Sequence, residues 1–268
     1  MRIGISSRCI LIALLGVCLF QVGAMASTNF IIGNSFGYFT GHYGRTYSTN
    51  IYYDSIFGAY KIDRWDFRLT IPYESITGLP ADAILSGNSL AAGGHSAVSH
   101  GAAGLGNISL SASYRLLPAI GLRPGLAPYL TITFGSASVK NGLGTGRTNY
   151  EVGSVAYENL GWVYPYVTLG YRFVGAGSRY NLRNIWVYGA GATISIFRSG
   201  RALSRNFVTI GYSGAESEEP GVAASGAVLL AGTHVFSHGS TKLQIYMDKG
   251  LTDSSPGIGV GIAIQRGF

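Results

Sequence analysis

The feature that most constrains this chain is a period of two, repeated from segment to segment. Trp65, Phe67, Leu69, Ile71 and Tyr73 fall on one face of an extended segment, and Asp66, Arg68 and Thr70 on the other. Ile108, Leu110, Ala112, Tyr114 and Leu116 alternate in the same way with Asn107, Ser109, Ser111, Ser113 and Arg115. Alternation of this kind specifies β-strands with one apolar and one polar or small face. Mean hydropathy is positive, yet no apolar run after residue 26 is long enough for a spanning helix. Charged residues are only 12% of the chain, while Gly is 40 of 268 and Tyr 18. Apolar content spread thinly through alternating strands marks a transmembrane β-barrel rather than a helical membrane protein.

The two ends agree with that reading. Arg2 and Arg8, the apolar run Ile10 to Phe20 and Ala24-Met25-Ala26 have the order of a secretory leader. Residues 1–26 are expected to be a cleaved signal peptide, and 27–268 one barrel domain. Cys9 and Cys18 both lie in the leader, so the mature chain would have no disulfide, no thiol nucleophile and no Cys-based metal site. At the other end, Ile258, Val260, Ile262 and Ile264 alternate with Gly259, Gly261, Ala263 and Gln265, and the chain stops at Phe268. This end resembles the C-terminal sorting signal of bacterial outer-membrane barrels, which implies that the barrel-insertion machinery reads Phe268. Arg266 departs from the signal, since that position is usually apolar.

Counting alternating segments between Gly, Asn, Ser and Pro clusters gives twelve strands, with ten and fourteen as the neighbouring even counts. The fold class is all-β: a single up-and-down antiparallel barrel. Short connections at Asp63, Leu160, Gly200 and His238 fall on one side, and longer ones at 141–147, 175–183 and 216–221 on the other. Residues 78–103, rich in Gly, Ala and Ser, are expected to form the longest connection. Residues 225–236 alternate poorly, which leaves the register of the tenth strand open.

Several short motifs resemble a family: the outer-membrane transporters named after the meta-pathway of phenol degradation. They are Ile71-Pro72-Tyr73-Glu74-Ser75-Ile76-Thr77-Gly78, Gly104-Leu105-Gly106-Asn107, Gly144-Thr145-Gly146-Arg147-Thr148-Asn149, and Gly170-Tyr171-Arg172 followed by Gly175. They occur in the family's order and cover most of the mature chain. Asn107, Asn149 and Gly135-Ser136 depart from its usual residues. The resemblance implies passive passage of hydrophobic or aromatic small molecules across the outer membrane, without catalysis. It supplies no established binding residues.

A charge facing lipid at the midplane costs about 2–4 kcal/mol for Arg or Lys. The strand charges are therefore expected inside: Asp66, Arg68, Arg115, Arg172, Lys242 and Asp248, together with Glu74 and Glu151. Two readings stand for them, a charge-lined constriction that selects solutes and a structural ion-pair network. Tyr129, Thr131, Thr133 and Tyr246 are expected on the same wall, where the rings either stack on an aromatic solute or fill space beside inward glycines. His95 and His100 have no carboxylate nearby except Asp82, which argues against a hydrolase triad, and two histidines make no metal site. The Gly142–Gly146 run opens no helix and is no phosphate loop. Neither a metal nor a cofactor is expected. The mature net charge, about +5 by the same counting, is scattered, which argues against nucleic acid. The partners expected are a small-molecule solute, lipid, and lipopolysaccharide met by Lys140, Arg147, Arg179 and Arg183. A structural or adhesion barrel is the alternative function, with modest loops against it, and a membrane-embedded hydrolase is a further one.

Overall fold

The computed structural model describes residues 29–43, 48–80, 83–85, 90–92, 99–120, 123–175, 182–196, 206–218, 223–236 and 240–268, with backbone only at 79–100. The leader, its expected cleavage after Ala26, and His95 and Arg179 lie outside them. The described chain is all strand and connection: β1 (Phe30–Gly41), β2 (Thr49–Ile62), β3 (Trp65–Pro80), β4 (Ala83–Leu85), β5 (Leu90–Ala92), β6 (Ser99–Leu105), β7 (Ser109–Tyr114), β8 (Gly125–Thr133), β9 (Asn149–Tyr157), β10 (Val163–Phe173), β11 (Ile185–Ile196), β12 (Asn206–Ala215), β13 (Ser225–Val235), β14 (Thr241–Gly250) and β15 (Ile258–Gly267).

From β1 to β3 and from β7 to β15 each strand pairs antiparallel with the next, β3 pairs with β7, and β1 pairs with β15 to close the sheet. The ring ends where it begins: the Phe268 amide donates to the Phe30 carbonyl at 2.8 Å. β6 and β7 both pair with β3, β6 along its second half and β7 along its first. They are two pieces of one stave, so thirteen strands make a twelve-stave up-and-down barrel. Closure leaves no edge for hydrocarbon to strand without hydrogen bonds.

The alternation decides which face is which. On β3, Trp65, Phe67, Leu69, Ile71 and Tyr73 are exposed outward, while Asp66, Thr70 and Glu74 are buried inward. On β15, Ile258, Val260, Ile262 and Ile264 point out and Ala263 and Gln265 in. A continuous exposed belt of large apolar side chains belongs in lipid, not water. Aromatic pairs edge the belt: Trp65 with Tyr114 at 4.8 Å at one end, Tyr38 with Tyr52 at 4.9 Å and Tyr171 with Trp186 at 5.0 Å at the other. One carboxylate breaks the belt. Asp54 faces out between Tyr52 and Ile56 and accepts a 2.6 Å hydrogen bond from the Asn34 amide.

Strands β2 and β3 turn through Asp63 and Arg64, with Asp63 at a φ of 52°, a backbone state Asp tolerates better than most residues. The turns at this end are mostly short, and the loops at the opposite end longer, as barrels place them in periplasm and outside respectively. The stretch 78–103 is not one connection. β3 runs on to Pro80, β4 and β5 form a small hairpin, and β6 returns along β3. Gly, Ala and Ser supply no large side chains to alternate, so the backbone pairing there had no signature. β13 now has a register: Val228, Leu230 and His234 face out, and Ala227, Leu229, Ala231 and Thr233 in. Its alternation was weak because small or apolar residues occupy both faces.

Candidate functional site: the barrel lumen

The inner wall is uneven. Along β7–β11 inward side chains such as Ser111, Tyr129, Thr131 and Thr168 keep part of their surface open to the lumen. On the facing wall Ser35, Ser55, Leu229, Ala231, Gln244 and Tyr246 are buried. The interior is more closely packed along the second wall than along the first.

The inward tyrosines lie along the wall because glycines leave room for them. A Cβ on Gly153 would stand 2.6 Å from the Tyr129 ring, and one on Gly37 would stand 2.7 Å from the Tyr246 hydroxyl. Both rings therefore cover backbone, which is the space-filling role weighed from the sequence. Tyr129 does more. Its hydroxyl donates to Glu151 Oε1 at 2.9 Å, while Arg172 Nε and Nη2 donate to Glu151 Oε2 at 2.9 and 2.7 Å. Glu151 and Arg172 sit opposite each other across β9 and β10. Arg172 Nη1 also reaches Glu218 Oε1 at 3.4 Å. Arg172 is 3% and Glu218 2% exposed, so this is a buried, charge-assisted network of one guanidinium and two carboxylates.

Glu218 lies just past β12 at the long-loop end, where it is buried; the Arg183 amide donates to its carbonyl at 2.7 Å. The connection after β8 turns inward. The Ala137 amide donates to Asn107 Oδ1 at 3.2 Å, and Ser136 Oγ to the Gly106 carbonyl at 3.0 Å. This carries Leu143 to a position beside Gly104, where it is buried as fully as Phe39, Ile51 and Ile76. Buried apolar side chains thus gather toward the long-loop end. Asp248 is buried there as well, and Tyr43, just past β1, has its hydroxyl held above the ordinary tyrosine range by burial and then by Asp248.

At the short-turn end, Lys61 Nζ lies 3.4 Å from Asp66 Oδ1, Arg68 stacks 3.7 Å over the Phe57 ring, and Lys242 is buried. Of the residues expected on the inner wall, Asp66, Arg68, Tyr129, Arg172, Lys242, Tyr246 and Asp248 face inward, as do Glu74 and Glu151. Arg115 lies just past the end of β7 at Tyr114, exposed at the short-turn rim, where its amide donates to the Arg64 carbonyl at 2.8 Å. His100 is described only as backbone in β6. Lys140, Arg147 and Arg183 are exposed at the long-loop end. Sequence reasoning missed Glu218 and Leu143, which lie in connections without period, and Lys61, on β2, where both faces mix apolar and polar residues.

No protein-family model and no curated protein matches the chain. Solved structures do. The COG4313 outer membrane channel from Pseudomonas putida F1 superposes with a TM-score of 0.65 at 12% identity, over 92% of this chain and 98% of that one. The translocator domain of the autotransporter NalP from Neisseria meningitidis gives 0.57 at 13% identity, over 96% and 94%. The NanC porin gives 0.53 at 10% identity, over 88% and 98%. The likeness is one of fold: this chain shares the closed antiparallel β-barrel of these proteins.

Proposed function

We propose that the protein is a passive outer-membrane channel for small solutes, hydrophobic or aromatic ones among them. The observation that carries this reading is the barrel itself, which faces lipid with a continuous apolar belt and keeps a polar, partly open wall inside. A barrel of this width holds more than the side chains that fill an eight-stranded one. The names of the similar structures, a channel and a porin among them, point the same way. Export by a cleaved leader, insertion guided by Phe268 and contact of the exposed Lys140 and Arg147 with lipopolysaccharide complete the proposal.

The test is conductance of the refolded barrel in a planar bilayer, with and without phenol. Discrete openings that phenol blocks are the expected result. A silent bilayer, with the barrel shown to be folded, would overturn the channel reading in favour of a structural barrel.

A further inference from the structure

The lumen is electrically divided. Among the described residues, Glu74, Glu151, Glu218 and Asp248 lie inside the long-loop half with Arg172 as their base. Lys61, Arg68 and Lys242 lie inside the short-turn half with Asp66 as their acid. The two halves differ in how their charges are matched. Arg172 holds two carboxylates at once. In the basic half Lys61 takes Asp66, while Arg68 and Lys242 have no carboxylate within ion-pair distance among the described residues. Lys242 is only 8% exposed. A closed structural network would be neutral. Counted over the described residues, this one carries the positive charge of Arg68 and Lys242 without a carboxylate at ion-pair distance, in a space the barrel shields from bulk water.

The strand register shows what these cations surround. Ala59 pairs with Arg68 on one side and with Ile31 on the other, and Ile31 pairs with Gly267. Gly267 lies two residues beyond Gln265, the partner of Lys242. Ile31 and Ala59 face inward and are half-buried, so their apolar surface is open to the lumen. Lys61 and Arg68 stand at one side of this floor and Lys242 at the other.

We propose that the floor of Ile31, Ala59 and Gly267, rimmed by Lys61, Arg68 and Lys242, binds a small organic anion: a carboxylate on an apolar body, entering from the short-turn side. Arg68 and Lys242 supply the positive charge that a carboxylate needs, and the floor matches the body. The proposal deepens the channel reading by naming a solute class, but its binding test requires no conduction.

The experiment is calorimetric titration of the refolded barrel in detergent with benzoate, with phenol as the neutral analogue and inorganic phosphate as the bare oxyanion. Benzoate should bind at least about tenfold more tightly than either. Lys242→Gln and Arg68→Gln should each weaken it about tenfold, while Lys249→Gln, on the outward face of the same strand β14, should leave it unchanged. Equal binding of benzoate and phenol, phosphate binding as tight as benzoate, or indifference to both inward variants would overturn the proposal. Heat-modifiable gel mobility reports folding of each variant. Should an inward variant not fold, salt titration of the wild type decides: benzoate affinity must fall as salt rises, and a flat response overturns the site. Benzoate binding by a barrel that does not conduct defeats only the channel reading, and a conducting barrel blind to benzoate defeats only this site.

Discussion

Tyr129 serves two purposes from one position on β8. Its ring covers Gly153 and Gly170, and its hydroxyl holds the carboxylate that Arg172 grips. A side chain at Gly153 would displace that ring. We expect Gly153→Val to cost about 1–3 kcal/mol by overpacking, read as a lowered midpoint of urea unfolding in lipid vesicles. Removing the guanidinium is more damaging, because it takes away the buried positive charge that Glu151 and Glu218 share. Arg172→Ala should cost about 3–5 kcal/mol in the same assay, while Arg172→Lys should recover part of the loss. Whether a charge at this position tunes passage or only holds the barrel together is read from the same variants in a bilayer. Unchanged ion selectivity in Arg172→Ala would favour the structural role.

At the scale of the element, β3 shows how one strand serves two partners. Its first half pairs with β7 and its second with β6, and the Gly106 amide bridges the break by donating to the Pro72 carbonyl at 2.9 Å. The hairpin of β1 and β2 shows a different strain. Asp54 and Asn34 satisfy each other on a face otherwise made for hydrocarbon. Replacing both by Leu should stabilise the barrel by about 1–2 kcal/mol in lipid, since acidic side chains cost somewhat less there than Arg or Lys. A loss of stability on that double change, measured by unfolding in phosphatidylcholine vesicles, would show that the pair has a partner in the membrane.

For the whole molecule, the divided lumen predicts direction. Acidic groups at one end and basic groups at the other make an asymmetric potential along the pore. Currents through barrels inserted in one orientation should therefore rectify, and Lys242→Gln should flatten the current–voltage curve. Raising salt should do the same by screening, since the Debye length falls to about 3 Å at 1 M. A linear current–voltage curve for the wild type at low salt would contradict the asymmetry.

The sequence by itself determined the barrel. Alternation in β3, β7, β8, β10, β11, β14 and β15 assigned each residue to lipid or lumen, because a one-residue slip would turn every charge outward. It therefore placed Asp66, Arg68, Tyr129, Arg172, Lys242, Tyr246 and Asp248 on the inner face. It could not see β6, whose Gly, Ala and Ser have no faces to distinguish, nor that β7 stops before Arg115. Only the tertiary structure decided what meets across the lumen. Glu218 reaches Arg172 from a connection 46 residues away, and Lys242 shares its end of the pore with Lys61 although the chain separates them by most of its length. Period records which side of a strand a residue takes. Which residues then stand together depends on how the strands are staggered around the closed ring and how the connections fold into it, and neither leaves a period in the sequence.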